Sequence, residues 1–119
     1  MGIFQDLVAY FIPKKEEVRF PELPFIDLAD LDILSAPNPE DFYPAYSKHA
    51  GEAGSVRLLL KVDSSGRVGQ VKILRSSSFT RLDQAAASLS AQFIFSPYVR
   101  EGQSYPMQTS VEVEFKKTT

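Results

Sequence analysis

The sequence predicts a two-layer α+β domain. Its sheet has three strands, antiparallel in type and ordered 2-1-3, with one main helix packed on one face and a short N-terminal helix. Three observations carry this expectation. Residues 55–63 and 68–75 read as the two arms of a hairpin around a Ser-Ser-Gly-Arg turn. Leu82, Ala85, Ala86, Leu89 and Phe93 recur at helical spacing. Residues 107–116 alternate between apolar and polar positions.

The elements follow in chain order. Pro44 suits the first turn of a short helix over residues 44–50, and Gly51 suits its stop. In the first strand Val56, Leu58, Leu60 and Val62 face one way, while Arg57, Leu59 and Lys61 face the other. Gly66 is available for a positive φ in the turn. In the second strand Val71 and Ile73 share a phase that Val68 does not, and Gly69-Gln70 between them indicates a bulge. Thr80 and Asp83 resemble a capping box, which starts a helix running to about Phe93. The small side chains of Ala85 and Ala86 let that helix lie close to a sheet. Pro97 ends the segment, and residues 101–103 read as a loop. In the third strand Thr109, Val111, Val113 and Phe115 form one face, and Gln108, Ser110, Glu112, Glu114 and Lys116 the other.

The helix returns the chain so that the third strand runs parallel to the second and beside the first. That leaves the third strand at an edge, with backbone N–H and C=O groups turned outward. Such an edge is a template for an extended peptide. The residues marked for partner binding are therefore Thr109, Ser110, Val111, Glu112, Val113, Glu114 and Phe115. The same edge invites a homodimer about a two-fold axis, with Glu112 or Glu114 of one copy facing Lys116 or Lys117 of the other.

Composition narrows the function classes. The chain has 119 residues, room for one small domain, and its 44% hydrophobic content supplies a modest core. It has no Cys, so disulfides, thiolate nucleophiles and Cys-ligated metals are excluded. A single His49 leaves no set for a His-based metal site or a catalytic triad. A formal charge of −2 argues against nucleic acid as a partner. Asp63 and Asp83 read as a turn residue and a helix cap rather than as an acid–base pair, and residues 76–78, three serines, have no base near them in sequence. Neither a catalytic group nor a cofactor is expected.

Charge divides the chain. Residues 1–42 hold three basic against nine acidic side chains, a net of −6, and five of the eight prolines. Residues 43–119 hold ten basic against six acidic, a net of +4. The expected organisation is an acidic, Pro-rich leader over residues 1–42 and a domain over residues 43–117. Residues 25–34 are both apolar and acidic, and their pattern fits a short helix as well as an extended stretch; the leader either folds back onto the basic domain or serves as a solvated tether. Residues 2–12 are too short and too interrupted to span a bilayer, and lack the features of a signal peptide. As a helix they would align Ile3, Leu7 and Tyr10 or Phe11 into a docking stripe.

One set of residues is recognisable. Tyr43-Pro44, Gly51-x-x-Gly54-x-Val56, Val62-Asp63-x-x-Gly66-x-Val68, Val71, Ser76-Ser77, Leu82-Asp83-x-Ala85-Ala86, Phe95-x-Pro97, Gly102 and Phe115 occur in that order. In order and spacing this set resembles the C-terminal domain of the TonB family, over residues 43–117. Two positions depart from the family pattern. Ser47 stands at a small apolar position, and Ile94 at a commonly basic one. The resemblance implies an energy transducer of the periplasm. Such a domain binds the TonB box of an outer-membrane receptor by β-strand addition. It passes on force from an inner-membrane, proton-driven ExbB-ExbD-type motor, reached here through a missing N-terminal region. It also implies that Tyr43 and Pro44 lie near the receptor peptide, beside their reading as a packed helix start. The expected setting is the periplasm, tethered to the inner membrane in a longer natural protein, with this chain either a piece of such a protein or a free-standing relative. The rival expectation keeps the fold and assigns it to a TolA-like or secretion-apparatus assembly module using the same edge.

Overall fold

A computed structural model describes residues 23–117; the stripe expected over residues 2–12 lies outside them. The chain forms a 3₁₀ turn at Leu28–Asp30, strand β1 (Ile33–Ser35), a second 3₁₀ turn at Pro39–Phe42, and helix α1 (Ala45–Ala50). Strands β2 (Gly54–Val62) and β3 (Val68–Arg75), helix α2 (Thr80–Ser90), and strands β4 (Ile94–Phe95), β5 (Tyr98–Arg100), β6 (Gln103–Tyr105) and β7 (Met107–Phe115) follow.

The main sheet has the order β3-β2-β7, with β2 antiparallel to both neighbours. This is the predicted 2-1-3 arrangement. The bulge falls where the spacing put it: Val62 pairs with Val68 but Lys61 with Gln70, so Gly69 is the extra residue. Period-two alternation sends Val56, Leu58, Leu60 and Val62 of β2 and Met107, Val111, Val113 and Phe115 of β7 onto one face. There they pack with Leu82, Ala86 and Leu89 of α2 and with Phe95 to form the core.

The turn before β3 is held by Asp63. Its Oδ1 accepts from the Ser65 and Arg67 amides at 2.9 and 3.1 Å and from the Ser65 hydroxyl at 2.6 Å. Burial works against the charge, but these bonds and the nearby Gly66 amide outweigh it and hold the carboxyl below its ordinary range. Gly66 takes φ +94°, and a Cβ there would stand 2.0 Å from the Phe95 carbonyl oxygen. Both facts require glycine. The contact is close because the Phe95 amide donates to the Gly66 carbonyl at 2.9 Å.

Three local expectations differ from what the chain does. Thr80 begins α2 instead of capping it; the N-cap is Phe79, with no side-chain cap bond. Asp83 reaches back to Ser76 and Ser77, accepting both hydroxyls and the Ser77 amide, the last at 2.8 Å. The helix ends at Ser90, and Phe93 instead stacks on Phe95 with ring centroids 5.7 Å apart. Residues 101–103 are part of a hairpin, because Glu101 and Gly102 both adopt positive φ and let β5 pair with β6.

The segment between Phe25 and Leu34 is both helical and extended, in sequence: the Leu28–Asp30 turn, then β1, which pairs with β4. Ile26, Leu28, Leu31 and Phe42 pack against the core, so residues 23–42 are folded onto the sheet and helix.

Candidate strand-docking edge

β7 has β2 on one side along its whole length, from Met107 opposite Val62 to Phe115 opposite Gly54. In an antiparallel ladder, backbone groups alternate between the two sides of a strand. Gln108 fixes the phase. Its amide donates to the Pro24 carbonyl and its carbonyl accepts from the Ile26 amide, both at 2.9 Å and both away from β2. Ser110, Glu112 and Glu114 share that phase, so their N–H and C=O groups also turn outward. Thr109, Val111, Val113 and Phe115 direct theirs to β2.

The predicted partner-binding residues thus divide by role. The side chains of Thr109, Val111, Val113 and Phe115 are buried in the core. Ser110 is half-buried and Glu112 and Glu114 are exposed, on the opposite, open face of the sheet. Glu112 pairs with Arg57, its cross-strand partner, at 3.5 Å, and both side chains are about half exposed. An ion pair so exposed contributes little to stability. Two positions further along the same face of β2, beyond Leu59, Lys61 has its pKa lowered to about 8, first by burial and then by the charge of Lys72. The Thr109 hydroxyl is fully buried and has no hydrogen-bond partner among the described residues.

Tyr43 and Pro44 part company. The Tyr43 ring packs on Phe115 at the far end of β7, with centroids 5.2 Å apart. Pro44 is the N-cap of α1 and lines a shallow groove of about 490 Å³ with Phe42, Arg81, Gln84, Ala85 and Ser88. Sequence reasoning missed Glu52, which organises this end. Its backbone carbonyl accepts from the Tyr43 hydroxyl, and its carboxylate accepts from the Ser47 hydroxyl at 2.7 Å and meets Arg81 at 3.4 Å. Ser47 is buried, so its departure from an apolar residue is matched by a hydrogen bond. Sequence reasoning also missed the leader's bridge to Gln108. The available signal was Leu23-Pro24, since a residue before proline is biased toward extended backbone.

A three-stranded antiparallel sheet is backed by one helix, and its long outer strand turns the backbone of Ser110, Glu112 and Glu114 away from β2. Residues 39–117 match the model of the Gram-negative bacterial TonB protein C-terminal family, and the chain belongs to that family. It is 33% identical to Protein tonB2 of Pseudomonas aeruginosa over 88 residues, which is 74% of this chain and 32% of that protein. It is 32% identical to Protein TonB of Xanthomonas campestris over 87 residues, 73% of this chain and 39% of that one. The matched stretch is thus well under half of these relatives. The solution NMR structure of the Pseudomonas aeruginosa TonB C-terminal domain superposes with a TM-score of 0.65 at 25% identity, covering 78% of this chain and 94% of that one.

Proposed function

We propose that this chain carries a periplasmic energy-transduction domain that docks an extended N-terminal segment of an outer-membrane receptor along β7 by strand addition. The observation that carries this reading is the outward backbone of Ser110, Glu112 and Glu114 on a strand whose other side is taken by β2. Four or five added backbone bonds at roughly 0.5–1.5 kcal/mol each give modest affinity, which suits a contact that must release after pulling. The domain over residues 43–117 makes the contact, through the edge from Thr109 to Phe115 and with Tyr43 and Pro44 at its end. Force reaches it from an ExbB-ExbD-type motor through chain that precedes it in a longer, inner-membrane-tethered protein. The role needs no catalytic group and no cofactor.

The test is titration of the full chain with synthetic peptides from the N-termini of receptors of the source organism, followed calorimetrically. Saturable binding of one peptide per chain is expected, and receptor peptides that bind no better than unrelated ones of equal length contradict the reading. A second copy of the chain competes for the same edge, so any dimer seen in sedimentation dissociates as peptide is added.

A further inference from the structure

The edge of β7 is not open along its whole length. Phe25 forms a parallel bridge with Gln108, and three hydrogen bonds hold it: Gln108 N–H to the Pro24 carbonyl, Ile26 N–H to the Gln108 carbonyl, and Gln108 Nε2 to the Leu23 carbonyl, each 2.9 Å. The ladder then stops: among the described residues no backbone hydrogen bond joins the leader to β7 beyond Gln108. Asp27 Oδ1 accepts from the Ala29 amide at 3.0 Å and caps the Leu28–Asp30 turn, whose 3₁₀ backbone replaces the extended conformation a ladder needs. Ile26, Leu28 and Leu31 on either side of that turn pack against the core.

A loosely held strand would compete with an incoming one along the edge. This one does not continue its ladder past Gln108, because residues 28–30 are held in a capped 3₁₀ turn, and it is anchored by three apolar side chains. We infer that residues 23–26 act as a built-in stop that sets the register and length of a docked strand. Pairing begins beyond the leader, at Ser110, and runs through Glu112 and Glu114, so the edge accepts an extended segment of about five residues. The exposed ring of Phe25, 56% accessible, stands at the stop. This inference rests on the strand-addition reading and adds to it where the added strand starts.

Amide hydrogen exchange by NMR on the full chain tests it, without peptide and with a saturating synthetic peptide from a receptor N-terminus. In the free protein the Gln108 and Ile26 amides exchange slowly and those of Ser110, Glu112 and Glu114 fast. With peptide, these last three slow by at least about tenfold, in proportion to the added bonds, while Gln108 and Ile26 stay as they were. Faster exchange at Ile26 on binding, with Gln108 still protected, means the peptide has replaced the leader; the stop is then overturned while docking stands. Fast exchange at Gln108 and Ile26 in the free protein also overturns the stop. Unchanged exchange at Ser110, Glu112 and Glu114 overturns the docking reading itself, and the stop with it.

Discussion

The ring of Tyr43 lies 5.2 Å from that of Phe115 at an interplanar angle of 60°, which clamps the start of α1 to the last residue of β7. The Tyr43 hydroxyl is spent on the Glu52 carbonyl. These contacts make Tyr43 a support of the end of β7. Tyr43→Phe keeps the ring contact and strands the Glu52 carbonyl, for an expected cost of about 1 kcal/mol. Tyr43→Ala also removes the packing and costs roughly 2–4 kcal/mol. Urea denaturation of the three proteins checks the order.

Gly66→Ala carries a methyl into the Phe95 carbonyl at a backbone angle that L-residues avoid. Strain of this kind costs on the order of 1–3 kcal/mol before any displacement of β4 is counted. A thermal midpoint within a degree of the parent protein contradicts the turn geometry.

Thr109 points its hydroxyl into the core, where no described residue bonds it. An unsatisfied buried polar group costs about 1–3 kcal/mol, and valine has the same shape without the group. Thr109→Val is therefore expected to stabilise the domain by about 1 kcal/mol while leaving receptor-peptide affinity unchanged, because the Thr109 backbone faces β2. Denaturation and peptide titration on one sample read both outcomes.

Lys61 titrates near 8 in the folded chain against an ordinary 10.5, through burial first and the Lys72 charge second. The unfolded chain therefore binds this proton more tightly. The penalty is fully present below about pH 8 and is relieved as pH rises from there toward 10.5, so this group's contribution to stability increases with pH across that window. Partial exposure keeps the effect small. An NMR titration of the Lys61 side chain should show a midpoint near 8 that moves upward in Lys72→Gln. Asp63 and Asp83 act in the opposite window. Both carboxyls sit below their ordinary range, since their hydrogen bonds outweigh burial, and the stability they add is lost as pH falls through their folded pKa values.

Much of the fold was legible because its elements carry strong periodicity. The alternation of residues 55–62 and 107–115 and the helical spacing of Leu82, Ala86 and Leu89 are the core itself. The bulge at Gly69 and the turn at Gly66 were legible because glycine and a phase slip mark them locally. What escaped depends on distant partners. The β5–β6 hairpin was hidden because Pro97 and Pro106 flank strands of only three residues, and its turn uses Glu101 at a φ of 53°. Glu52 gains its role only when Tyr43, Ser47 and Arg81 converge on it. The edge strand was legible; the occupied rung at Gln108 was not, since it joins residues 85 apart whose only local mark is Leu23-Pro24.

The proposed docking depends on the outward backbone of β7. Glu112→Pro removes one outward N–H and leaves the ladder to β2 intact, whereas Val113→Pro breaks that ladder and destabilises the fold. Glu112→Ala controls for the lost carboxylate and for the Arg57 pair. Calorimetric titration of the folded Glu112→Pro and Glu112→Ala chains with the receptor peptide is the most direct measurement. Affinity within about threefold of the parent for alanine and a loss of at least about tenfold for proline are expected, since proline removes a backbone bond and clashes with the added strand. Equal affinity for the two variants would contradict strand addition at this edge.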